Sequence, residues 1–161
     1  MESLHPIVVH FAIALISIGI VADGIYQISR NERYGAMVVP LLMGGLIFAI
    51  SAVITGLQAE KVVAIPAHLH DHVNAHRLSA ILSTGGTALT LLFHWLLEKQ
   101  RYSRGIIKWG YRIIAITTLA LLFRTGLLGG EMVYKYGIGT QQEKEMPSPS
   151  RDLFQSSDNN K

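Results

Sequence analysis

Four apolar runs, each long enough to cross a bilayer, leave this chain few folds to choose from. They extend from about Ile7 to Ile28, Ala36 to Leu57, His76 to Leu97 and Tyr111 to Tyr134. A helix needs about 20 residues to span the hydrocarbon core. Inside lipid, every backbone polar group must be satisfied within the segment or a closed barrel, so runs of this length are helices. The expectation is an all-α fold: a four-helix transmembrane bundle occupying residues 1–140. The polar, Pro/Ser-rich stretch QQEKEMPSPSRDLFQSSDNNK that follows, residues 141–161, is expected to be a disordered tail.

Composition supports this class and removes others. Charged residues make up 16% of the chain, against about 25% in soluble domains. There is no cysteine, which excludes disulfides, thiolate metal sites, iron–sulfur clusters and covalent haem attachment. The net charge of +3 is spread over short loops, so nucleic acid is not an expected partner. The first residues, Met-Glu-Ser-Leu, lack the basic segment of a cleavable signal peptide, so the first span is expected to persist.

Loop charge gives an orientation. Arg30 and Arg33 follow the first span, and Lys99, Arg101, Arg104 and Lys108 follow the third. Between spans two and three, Lys61 and Arg77 are offset by Glu60 and Asp71. The positive-inside rule then places loops one and three in the cytoplasm. Both termini are expected on the outer, periplasmic side of a multi-pass protein of the bacterial inner membrane.

Against this apolar background the seven histidines stand out, because a histidine within a membrane is costly unless it pairs, ligates or relays protons. His5 and His10 open span one in LHPIVVHF. His68, His70, His72 and His76 lie at or before the start of span three in HLHDHVNAHR. Spans one and three run in the same direction, so His10 and His76 are expected at similar depth. Two such imidazoles could clamp b-type haem as axial ligands, with Val9, Phe11, Ile13, Leu78 and Ile81 supplying an apolar slot. The plainer alternative is that each histidine bonds water among the headgroups. His5 lies about 140° from His10 round a helix and, before Pro6, is expected at the aqueous boundary.

The loop histidines offer a competing chemistry. His68, His70, His72 and His76, with Asp71, have the composition of a zinc or copper site. Solvent-facing histidines after Pro66 need no such role, and His76 cannot serve both centres.

Span four carries Arg124 and Glu131. Arg124 falls near the bilayer centre and is expected to face the interior, with Asp23 of span one as its structural partner. Glu131, seven residues on, is expected near the depth of His10, where it could orient a ligand imidazole. Glycines 44, 45, 56, 126, 129 and 130 mark close helix packing. His94 beside Trp95 reads as an interfacial residue. No nucleophile–base pair, phosphate loop or carboxylate pair points to hydrolysis or group transfer.

The opening LHPIVVHFAIAL resembles the HP-x-x-VHFPIAL signature of the DUF2231 family of small bacterial membrane proteins. GGEMVYKYGIG resembles that family's closing GG-x-LVY-x-HG segment. The resemblance covers about residues 4–140 and implies the four-span fold. It also implies haem binding or redox work, with His5, His10 and His76 as the matched candidates and Glu131 and Tyr134 nearby. Ala12 stands where the family has proline, and Tyr136 where it has histidine. The functional expectation is a haem-binding electron-transfer protein or redox-complex subunit, with His10 and His76 as ligands, Glu131 orienting a ligand and Arg124 stabilising buried negative charge, meeting periplasmic redox partners or other membrane subunits. The alternatives are a metal-handling protein using the loop histidines and a cofactor-free structural or assembly subunit.

Overall fold

A computed structural model describes residues 4–63, 65–99 and 105–138. Four long helices account for nearly all of them: α1 (Leu4–Ser29), α2 (Glu32–Ala59), α3 (His70–Lys99) and α4 (Gly105–Tyr134). All four are long and apolar enough to cross a membrane. Residues 141–161, expected to be a disordered tail, lie outside the described residues.

The chain turns between α1 and α2 in two residues. Arg30 takes a left-handed conformation (φ 56°), and its N–H donates to the Tyr26 carbonyl, which closes α1. Asn31 then caps α2, its side-chain oxygen accepting from the Arg33 N–H at 3.0 Å. The left-handed region costs a residue with a Cβ about 1 kcal/mol. Arg30→Gly is therefore expected to stabilise the protein by about that amount, measured as a raised unfolding midpoint in detergent. The second loop passes through one turn of 3-10 helix at Ala67–Leu69 and runs directly into α3, which begins six residues before the expected span.

The helices pack as two hairpins, α1 with α2 and α3 with α4. The hairpins meet more sparingly, and the α1–α4 seam is the thinnest. Ala12, Ile16 and Ile20 of α1 bury against Val38, Leu42 and Ala49 of α2. Gly45 permits this approach: a Cβ there would stand 2.5 Å from Ile16 Cγ1 and 3.1 Å from its backbone nitrogen. Phe11 stacks on Phe48 across the same pair, with ring centroids 5.1 Å apart. Pro40 sits inside α2, where its missing N–H is tolerable because neighbouring helices support the backbone.

Hairpin α3–α4 is built the other way round. The buried side chains of α3 are mostly polar: Ser79, Ser83, Thr87, Thr90 and His94. Its exposed ones include Leu78, Ile81, Leu82, Leu89, Leu92 and Trp95. Lipid solvates leucine as well as a protein core does, so apolar residues gain nothing by turning inward and small hydroxyls can line the contact. The hydroxyls also cap themselves: Thr87 donates to the Ser83 carbonyl and Thr90 to that of Gly86, both at 2.8 Å. Where α3 and α4 cross, Thr118 fills the space that a Cβ on Gly86 would need.

Candidate functional site

Helical phase decides which histidines enter the bundle. His5, Ala12, Ile16 and Asp23 lie within about 20° of one line on α1 at 100° per residue, and that line is buried from Ala12 onward. His10 falls about 140° away and is exposed. Its Nδ1 donates back to the Pro6 carbonyl at 2.6 Å. His5 turns inward, while His10 lies on the outer surface and is not brought to His76.

His5 and His76 make matching contacts in the two hairpins, with His5 about 9 Å further from mid-span. Each sits near the start of its hairpin, and its ring lies over a glycine of the returning helix. A Cβ on Gly56 would stand 3.1 Å from His5 Cε1, and one on Gly129 would stand 3.1 Å from His76 Cε1. His76 Nδ1 lies 3.1 Å from the Thr125 carbonyl. A carbonyl only accepts, so the proton is on Nδ1 and the lone pair on Nε2. His5 Nδ1 lies 2.9 Å from the Thr55 hydroxyl, which itself donates to the Ser51 carbonyl and so accepts from the imidazole. His5 is thereby fixed in the same tautomer. The two rings are close enough to feel each other electrostatically, and His72 lies within range of His76.

His72 is held differently. Its Nε2 faces the Leu128 carbonyl at 3.3 Å and Glu131 Oε2 at 3.4 Å, so this nitrogen carries a proton. Glu131 therefore orients His72, rather than His10 or His76. Tyr136, in the position where the resemblance gives histidine, meets the His72 ring edge-on at 5.4 Å between centroids. His68, in the approach to α3, and His70, its first residue, are exposed and do not join His72 and His76 inside. Among the described residues, no group of three or more histidine or acidic side chains converges as a metal cage.

Arg124 does not reach Asp23. It lies about three residues above the middle of its span, whereas Asp23 lies about six below the middle of α1's, a separation of about 13 Å along the membrane normal. Arg124 Nη1 instead donates to the buried Ser79 hydroxyl at 2.6 Å, and the residue is exposed on the outside of the bundle.

Asp23 belongs to a second polar centre at the opposite end. His94 Nδ1 donates to Asp23 Oδ1 at 3.1 Å, both residues being 4% exposed. The Gln27 amide donates to Asp23 Oδ2, and Arg112 Nε donates to Gln27 Oε1 at 2.9 Å. The Tyr111 ring lies against that of His94, with centroids 6.4 Å apart. This centre joins α1, α3 and α4 where the hairpins otherwise touch least. His94 is thus a buried residue rather than an interfacial one. A signal for it exists in the sequence: His72, His76, Ser79, Ser83, Thr87, Thr90 and His94 recur at three- and four-residue spacing along one face of α3.

The two centres give a four-helix membrane bundle with inward-turned histidines near each end. No curated protein and no solved structure matches the chain significantly. The family model DUF2231, described as a predicted membrane protein, matches residues 1–142 and so takes in all four helices. The chain is an integral membrane protein and belongs to the DUF2231 family.

Proposed function

We propose that the protein binds b-type haem through His5 and His76 and works in electron transfer or as a subunit of a membrane redox complex. One observation carries this reading. Two imidazoles make equivalent contacts in the two hairpins, each with Nδ1–H fixed on a protein acceptor and Nε2 left as the lone-pair nitrogen. This is the arrangement of a metal-ligating histidine, whose second nitrogen is oriented by a hydrogen bond. The donor set therefore suits two axial positions, and the absence of cysteine makes any haem non-covalent.

Haem held by two histidines supplies one-electron chemistry with no open coordination position. The chain's own part is orientation. Thr55 and the Thr125 carbonyl hold the imidazole planes, Gly56 and Gly129 leave room for the rings, and His72 with Glu131 sets the charge at the rim. With loops one and three in the cytoplasm, this end of the bundle faces outward, where periplasmic donors could reach it. The cell's inner membrane is the proposed location.

The test is a reduced-minus-oxidised spectrum of protein produced with ample haem. A low-spin α-band is expected in the wild type and in His10→Ala, and its loss in His5→Ala and in His76→Ala. An α-band surviving both of the latter replacements would sink the ligand assignment. A wild type that folds without any haem band would overturn the proposal, and metal analysis would then separate a zinc or copper centre from a cofactor-free assembly subunit.

A further inference from the structure

We infer that the outer face shared by α3 and α4 docks a transmembrane helix of a different subunit, one bearing a carboxylate near its middle. The inference starts from Arg124. Its Cα lies about 4.5 Å above the middle of its span, and Ser79, which holds its guanidinium, lies the same distance above the middle of the α3 span. The charge is therefore held at one depth rather than drawn toward the headgroups. With a hydrocarbon core about 30 Å thick, the boundary is roughly 10 Å further on. A side chain anchored on Ser79 does not span that distance.

The direction of Arg124 is outward. It lies 13 residues from Tyr111, about 140° round from the line of Tyr111, Thr118, Leu122 and Gly129 that faces the bundle. Among the described residues its guanidinium meets a hydroxyl and no carboxylate. A charge near the bilayer centre almost always faces protein or water and pairs with an opposite charge. Here the protein that would supply that charge has to come from outside the chain.

The surface beside Arg124 suits close helix approach. Thr117 and Ala120 of α4, two turns and one turn below it on the same side of the helix, are small and exposed. Small residues at such spacing let a neighbouring backbone come near enough for polar pairing. A second copy of this chain does not fit the role. Within the described spans Asp23 is buried on His94, while Glu32, Asp71 and Glu131 lie in end turns. None offers a carboxylate at the depth of Arg124. This interface is independent of whether haem is bound.

The experiment uses the full chain, labelled with a donor fluorophore and reconstituted in zwitterionic vesicles. The probes are acceptor-labelled synthetic helices of about 20 apolar residues with a central Glu or, as the control, a central Leu. The Glu helix is expected to associate at least tenfold more tightly than the Leu helix. Arg124→Leu should remove that difference. Ala120→Phe, which keeps the cation but blocks approach, should weaken association to a similar extent. Equal binding of the two helices would overturn the inference, as would energy transfer between two labelled copies of the chain that Arg124→Leu abolishes. Preference that appears only when anionic lipid replaces the peptide would assign Arg124 to lipid and overturn it as well.

Discussion

His94→Leu is expected to destabilise the bundle by about 1–3 kcal/mol, the cost of leaving a buried acceptor without its donor. In the native protein the Asp23 carboxylate accepts from His94 and from Gln27, in a place closed to water. Leucine removes the imidazole donor and adds nothing that can bond the carboxylate. The double replacement Asp23→Leu/His94→Leu should recover most of the loss, because replacing both partners of a buried hydrogen bond by apolar groups of similar shape can be nearly neutral. Unfolding in mixed micelles followed by circular dichroism gives all four corners of the cycle. A double replacement as unstable as the sum of the singles would show that the two residues act separately, contrary to the 3.1 Å contact between them.

Two adjacent glycines make the second large contrast. Gly129→Leu places a side chain where the His76 ring now lies, since even a Cβ would stand 3.1 Å from Cε1. The ring must leave, the Thr125 carbonyl loses its donor, and overpacking of this kind costs about 1–3 kcal/mol. Gly130, one residue further, has nothing within 4 Å of a built Cβ. Gly130→Leu should change stability by no more than about 0.5 kcal/mol, as surface replacements do. If haem is bound as proposed, its low-spin band should vanish in the first variant and persist in the second. Equal behaviour of the two variants would refute the placement of His76 against α4.

Depth along the membrane was legible in the sequence, and azimuth was the part left unread. The four apolar runs placed the helices to within a few residues at most ends, since the need to satisfy backbone groups in lipid admits one answer. The run of α3 was shortened because its first turns, His70 to Ala75, are polar and read as loop. Residue counting alone put His10 level with His76 and favoured it over His5. The 18-residue interval from His5 to Asp23, five whole turns, shows instead that His5 shares the buried line and His10 does not. Arg124 was expected to face inward because buried charges usually do, yet its position three residues above mid-span already separated it from Asp23. The Asp23–His94 contact joins residues 71 apart in the chain. One sequence gives no direct sign of such a pairing, although the polar face of α3 marks His94 as its last inward member.

That polar face bears on how the protein is made. Of the four spans, α3 has the lowest mean hydropathy. On emerging from the ribosome it would present Ser79, Ser83, Thr87 and Thr90 to lipid with no neighbour to cover them. The helix that covers them, α4, is synthesised next and crosses α3 at Gly86 and Thr118. A chain stopped after α3 is therefore expected to span the membrane but to leave these hydroxyls uncovered, and to be cleaved by added protease faster than the full chain.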